Sequence, residues 1–139
     1  MRTLALAAAV AGLMLGFTPM ASAHNSLIGS DPANGARLES GPQRIELRFD
    51  QPVQAGEGLN SVAVVGPSND HWEAGSVRVA SNVVTAQVRS LGPAGVYKIG
   101  YRVLSADGHP VSGELTFTLT KAGNGTPAPA GQQPGQAGA

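Results

Sequence analysis

The chain has 139 residues, with nine basic and nine acidic side chains, so its formal net charge is zero. A near-neutral chain lacks the positive charge that binding to nucleic acid or to an anionic membrane surface requires. It contains no cysteine, which excludes disulfide bonds, so a folded domain must be held by its apolar core.

The first 23 residues have the pattern of a secretory signal peptide. Arg2 precedes an apolar segment over residues 4–17, and Ala21, Ser22 and Ala23 form an A-x-A cleavage site. The apolar segment is short for a membrane span and no second one follows, so we expect an exported protein, periplasmic or extracellular, without a transmembrane segment after processing. All methionines lie in the first 20 residues, so the mature chain would contain no sulfur.

Short strand-like segments separated by turn-forming residues follow the signal. Ile45, Leu47 and Phe49 alternate with charged residues, which is the period-two pattern of a strand with one buried face. A second alternation places Tyr97, Ile99, Tyr101 and Val103 on one face. Further segments of this kind are residues 27–28, 61–65, 76–80, 83–88 and 114–120. Gly- and Pro-rich turns such as residues 31–35 and 66–70 separate them.

Outside the signal, no segment shows apolar residues at helical spacing over two turns. Many short strands with frequent turns predict an all-β domain, a Greek-key β-sandwich or barrel of immunoglobulin-like architecture. We assign it to residues 24–121. Residues 122–139 are rich in Gly, Pro, Ala and Gln and contain no large apolar side chain, so the sequence predicts a disordered tail.

Two separate signals point to a metal site. Cleavage after Ala23 makes His24 the first residue, whose free α-amine and imidazole together chelate a metal ion. Asp107 and His109 are two residues apart, so an extended backbone points both side chains to one side. Each signal also has a plain interpretation. His24 could simply lie in solvent, and Asp107 to Pro110 could simply form a turn.

Together the signals define three nitrogen donors and one oxygen donor from His24, His109 and Asp107. This set suits the tetragonal geometry of copper(II), whereas zinc prefers a tetrahedron. Copper(I) and blue-copper sites need sulfur ligands, which the mature chain lacks. The sequence therefore predicts one copper(II) per chain and no redox cycling in place. Cleavage after Ala21 would instead create an amino-terminal Ser22-Ala23-His24 motif, which binds copper(II) through backbone amides.

The remaining histidine and the single tryptophan fall in one polar segment. His71 is expected to be an exposed loop residue, although Asp70 and Glu73 flank it closely enough for weak metal binding. Trp72 is expected to cover one end of the core.

The same residues resemble a known family. A terminal His24, the motif S-D-P-A-N-G at residues 30–35 and the motif S-A-D-G-H-P-V-S-G at residues 105–113 are similar to the CopC family of periplasmic copper-resistance proteins. The resemblance implies a cupredoxin-like Greek-key barrel with copper(II) ligands at His24, Asp107 and His109. It also implies a copper carrier or buffer of a kind that often works beside a CopD-like membrane copper transporter. We expect the chain to be a monomer. Well-known members carry a methionine-rich loop for copper(I), whereas residues 65–76 keep only His71, so this chain resembles a copper(II)-only type.

Two other classes of function stay open at this point. A terminal histidine and a second imidazole on a β-sandwich are also similar to the histidine brace of copper-dependent polysaccharide monooxygenases. Against an enzyme, Asp107 would fill the position where oxygen must bind, and the chain has no aromatic platform for a polysaccharide. The third class is an interaction module in which the histidines are incidental.

Overall fold

The computed structural model describes residues 25–129, so the predicted signal peptide, His24 and residues 130–139 lie outside the described part. Eight β-strands make up the fold: β1 (Leu27–Asp31), β2 (Ala36–Leu38), β3 (Arg44–Phe49), β4 (Ser61–Val65), β5 (Glu73–Ala80), β6 (Val83–Val88), β7 (Gly95–Leu104) and β8 (Pro110–Leu119). No helix occurs in this range, and hence none long and apolar enough to cross a membrane. The predicted all-β class is confirmed.

The strands form two four-stranded sheets that face each other as a sandwich. The first sheet has the order β1-β3-β6-β5, and the second has the order β2-β8-β7-β4. All pairings are antiparallel except that of β2 with β8. The sequence analysis did not predict β2, because three residues directly after an Asn-Gly turn carry too little alternation to be recognised. Its pairing with β8, about 80 residues later, is what makes it a strand.

The predicted alternation forms the core between the sheets. Ile45, Leu47 and Phe49 of β3 are completely buried, and Tyr97, Ile99 and Val103 of β7 are buried opposite them. The Tyr97 ring stacks on Phe117 with a centroid distance of 5.3 Å, and it meets the edge of Trp72 at 6.1 Å. Trp72 is 1% exposed and covers one end of this core, as expected from the sequence.

The long hairpin of β7 and β8 defines the two ends of the sandwich. Leu104 pairs with Pro110 next to the connecting turn, and Gly95 pairs with Leu119 at the other end. The end with the turn also contains the start of the described chain and the segment that follows β3. Trp72 belongs to the opposite end, because Val65, which forms a bridge with His71, pairs with Lys98 near the start of β7.

The first part of the predicted tail, residues 122–129, is held by backbone contacts at that opposite end. Gly125 donates its N–H to the Leu91 carbonyl at 2.9 Å, and Ala128 donates to the His71 carbonyl at 2.8 Å. A Cβ atom on Gly125 would collide with the Ser90 carbonyl, so only glycine permits this approach. The composition of the tail gave no signal of these contacts, because main-chain bonds rather than large apolar side chains provide them.

Candidate metal centre

The turn between β7 and β8, residues 105–109, carries the predicted aspartate and histidine. Gly108 donates its N–H to the Ser105 carbonyl, and Ser105 donates to the His109 carbonyl, both at 2.9 Å. Gly108 has a φ of +89°, a left-handed conformation that glycine adopts without steric cost. The turn is thus closed by its own backbone, which fixes the directions of the side chains that leave it.

Ser105, Asp107 and His109 form one hydrogen-bonded unit in this turn. The completely buried Ser105 hydroxyl donates to Asp107 Oδ1, and the His109 backbone N–H donates to the same oxygen at 3.1 Å. The imidazole Nδ1 of His109 lies 3.1 Å from Asp107 Oδ2. The His109 side chain is 66% exposed and that of Asp107 is 23% exposed. The structure therefore brings two of the three predicted ligands together at the surface.

The charge of Asp107 is favoured by its hydrogen-bond donors. The Ser105 hydroxyl is the largest influence, and it holds the pKa of the Asp107 carboxyl well below its usual range. Partial desolvation, the next largest influence, opposes it, while the His109 backbone N–H and imidazole lower the pKa further. Asp107 is consequently an anion at any pH near neutrality, which is the form that binds a cation.

The third predicted ligand, His24, lies outside the described residues, but its neighbour Asn25 lies against the turn. Asn25 is 2% exposed, and its side-chain amide donates to the carbonyls of Gln51 at 2.8 Å and Pro52 at 2.7 Å. Its side-chain oxygen accepts the N–H of Ala106 at 3.2 Å. The chain one residue after His24 is thus attached to the residue immediately before Asp107.

Sequence reasoning missed Asn25 entirely. A polar residue next to a predicted cleavage site is expected to be exposed, and Asn25 belongs to no alternating pattern. Its partners are 26, 27 and 81 residues away in the chain, so only the folded structure brings them together. No signal in the sequence could have identified it.

His71 lies at the other end of the sandwich and is not the exposed loop residue that was expected. Its imidazole Nδ1 is 2.9 Å from Glu73 Oε2, and the two side chains are only 18% and 9% exposed. Glu73 also accepts the backbone N–H of Val64 at 2.7 Å, so it ties His71 to β4. Six strand positions separate this level of β7 from the turn, or about 20 Å. His71 therefore cannot bind the same ion as His109.

Within residues 25–129, no three metal-ligating side chains lie close enough together to hold a metal ion. Asp107 and His109 are the two candidate donors that this turn brings together.

The structure defines a class of protein: a two-sheet β-sandwich with a histidine–carboxylate pair on an exposed hairpin turn. The chain belongs to the CopC domain family, whose model matches residues 27–120. The resemblance drawn from the sequence is therefore confirmed.

Individual relatives agree with this assignment. The chain is 30% identical to copper resistance protein C of Pseudomonas syringae pv. tomato, over 78% of this chain and 89% of that protein. It is 32% identical to the copper transport protein CutJ of Bacillus subtilis, over 81% of this chain but only 21% of CutJ. This chain thus spans about a fifth of that longer relative. The crystal structure of CopC from Methylosinus trichosporium OB3b has the same fold, with a TM-score of 0.63 at 24% identity, covering 73% of this chain and 98% of that one.

Proposed function

We propose that this chain is an exported, non-enzymatic copper(II) carrier or buffer that binds one ion per molecule. The ligands are the α-amine and imidazole of His24, the imidazole of His109 and the carboxylate of Asp107. The observation that carries this proposal is the hydrogen bond from Ala106 to Asn25, because it brings the chain beside His24 to the turn that presents the other two ligands. Relatives described as a copper resistance protein and a copper transport protein support copper as the ion.

The donor set fits copper(II) in kind and in spacing. Nitrogen and oxygen donors in a tetragonal arrangement suit copper(II), which also ranks highest in affinity among the divalent first-row metals. His109 Nδ1 and Asp107 Oδ2 are 3.1 Å apart, so both donors are within reach of one ion. Residues 25–129 offer no sulfur ligand for copper(I).

The same ligands favour holding the ion over catalysis. The ionised Asp107 fills the plane together with three nitrogens, which leaves no equatorial position for oxygen. The turn is exposed, so the ion is accessible for transfer to another protein. We propose that the chain acts as a monomer in the periplasm or outside the cell. Its partner is a CopD-like membrane copper transporter, in keeping with the match to one segment of the longer protein CutJ.

The test begins with the amino terminus of the exported protein, determined by mass spectrometry, because only a free His24 has the required amine. The processed protein is then titrated with copper(II) and followed by electron paramagnetic resonance. We expect one tightly bound copper(II) with three nitrogen ligands. His109→Ala should abolish tight binding, whereas the matched control His71→Ala, a histidine paired with a carboxylate at the far end of the sandwich, should not.

Three results would contradict the proposal. The first is a His109→Ala protein that retains wild-type affinity and spectrum. The second is a mature protein that begins at a residue other than His24 and binds one copper(II) as tightly as a protein that begins at His24. The third is reductant-dependent oxidation of polysaccharides by the copper-loaded protein, which would assign it to the histidine-brace enzymes instead.

A further inference from the structure

Two polar residues within residues 25–129 are almost completely buried, and both belong to the turn end of the sandwich. They are Asn25 and Ser105. Burying a polar side chain costs free energy unless its hydrogen bonds are made. Ser105 makes its bonds to the turn itself and orients Asp107. Asn25 makes its bonds to three different residues, none of which is a predicted ligand, so its role needs a separate explanation.

The hydrogen bonds of Asn25 join three segments of chain. Its amide nitrogen donates to the consecutive carbonyls of Gln51 and Pro52, just after β3, and its oxygen accepts from Ala106 in the turn. With two carbonyls on one side and one N–H on the other, the amide has only one favourable orientation. The next residue, Ser26, is fixed as well, because it exchanges two hydrogen bonds with Asp50 at 2.8 and 2.9 Å.

Chain termini fray unless specific contacts hold them. A His24 on a frayed end could still chelate copper(II) through its own amine and imidazole. Bringing that chelate to Asp107 and His109 would then require ordering the end of the chain at the moment of binding. The conformational entropy lost in this ordering would weaken the copper(II) affinity. A side chain that fixes residue 25 in advance removes most of this cost.

We propose that Asn25 is a positioning residue for the copper(II) site, which holds the residue after His24 against Ala106 so that both halves of the site meet one ion. This inference rests on the proposed function and adds to it the residue that joins the two halves. Outer-shell residues that orient metal ligands typically contribute about 10- to 100-fold in affinity. We expect Asn25→Ala to weaken copper(II) binding by that factor.

Two variants each remove one partner of the hydrogen bond between Ala106 and Asn25. Asn25→Ala removes the acceptor and both donors. Ala106→Pro removes only the N–H donor, and Ala106 is the second residue of a turn closed by the bond from Gly108 to Ser105, a position where proline is favoured. Asn34→Ala is the matched control, because Asn34 accepts a backbone N–H from Thr116 at 2.9 Å without touching the turn end.

The experiment uses the processed protein with a free His24. Copper(II) affinity is measured by chelator competition, the ligand set by electron paramagnetic resonance, and the stability of the copper-free protein by thermal unfolding. We expect both Asn25→Ala and Ala106→Pro to bind at least tenfold more weakly and to show mixed spectra with fewer than three nitrogens. Asn34→Ala removes one exposed hydrogen bond, so it should lose less stability than Asn25→Ala, and its affinity should stay within about twofold of wild type.

A double-mutant cycle separates positioning from a merely structural role. In a His109→Ala background, the two halves of the site no longer meet fully, so Asn25→Ala should have a much smaller effect on affinity there. If Asn25→Ala weakens copper(II) binding equally in the wild-type and the His109→Ala background, the inference is overturned. An unchanged affinity and spectrum in Ala106→Pro would overturn it too, even if Asn25→Ala fails to fold. If His109→Ala itself leaves copper binding intact, the proposed function fails instead.

Discussion

Replacing Ser105 by alanine tests the turn as a preformed half of a metal site. The substitution removes one oxygen atom from a completely buried position and adds none. The two backbone hydrogen bonds that close the turn do not involve the hydroxyl, so the turn should keep its shape. The substitution removes the hydroxyl that donates to Asp107 Oδ1. The same hydroxyl oxygen accepts the backbone N–H of His109 at 3.2 Å, and this bond is lost as well.

The size of the effect follows from what remains around Asp107. The carboxylate keeps the backbone N–H of His109 at 3.1 Å and the contact with its imidazole at 3.1 Å. Loss of an outer-shell partner typically weakens metal binding by about 10- to 100-fold. Because two contacts persist, we expect about a tenfold loss of copper(II) affinity for Ser105→Ala, near the lower limit of that range.

The pH dependence of copper(II) affinity and of stability shows whether Ser105 acts by positioning Asp107 or by keeping it ionised. Ser105 is the main reason that the pKa of Asp107 is lowered, so its removal should raise that pKa toward the usual value of about 3.9. Asp107 would still be ionised at neutrality, and the tenfold loss should be constant between about pH 6 and 8. A lowered pKa in the folded state adds stability above about pH 4 that is lost on acidification. The difference in stability between wild type and Ser105→Ala should therefore shrink below that pH.

Chelator competition measures the affinity, and acid and thermal unfolding of the copper-free proteins measure the stability. Ser112→Ala is the control, since Ser112 is an exposed serine on β8 close to the same turn. The reasoning is refuted if Ser105→Ala binds copper(II) as tightly as wild type, or if Ser112→Ala loses as much affinity.

Three further predictions concern ligand protonation, the tail and the core. Copper(II) competes with protons for the α-amine and the imidazole nitrogens, while Asp107 stays ionised, so copper(II) affinity should fall steeply when the pH is lowered from neutral to about 5. Deleting residues 122–139 should shift Trp72 fluorescence to longer wavelength, because this segment is attached beside the ring through the hydrogen bond from Ala128 to the carbonyl of His71. Phe117→Ala should lower the free energy of unfolding by about 3–5 kcal/mol in urea denaturation, because Phe117 is completely buried in the core.

Each of these has its own control. Affinity that is flat from neutral to about pH 5 would contradict amine and imidazole ligation. Deleting only residues 130–139 should leave Trp72 fluorescence unchanged, and an unchanged spectrum after the longer deletion would show that the segment at residues 122–129 does not cover the ring. Val96→Ala, at a side chain that is 53% exposed, should change stability by less than about 0.5 kcal/mol, and an equally small effect of Phe117→Ala would contradict the core assignment.

The strands and the core were predictable from local sequence because burial on one face of a strand imposes a period of two. Ile45, Leu47 and Phe49 show that alternation and are completely buried, and Tyr97 and Ile99 behave in the same way. Asp107 and His109 also lie close together, but for a different reason from the extended backbone that the sequence analysis assumed, because a hydrogen-bonded turn with Gly108 in a left-handed conformation brings them together. The family resemblance, carried by short motifs, is also confirmed.

The features that the sequence analysis did not predict depend on contacts between residues far apart in the chain. β2 is a strand only because it pairs with β8. His71 is partly buried beside Glu73, which connects it to β4, and residues 122–129 are attached by main-chain bonds. Asn25 is the clearest case, because its three partners meet only after the sheets have packed. The sequence by itself provided the prediction of the donor atoms and of copper(II). Only the tertiary structure decided that the start of the domain lies beside Ala106, because hydrogen bonds between residues up to 81 positions apart have no local signature.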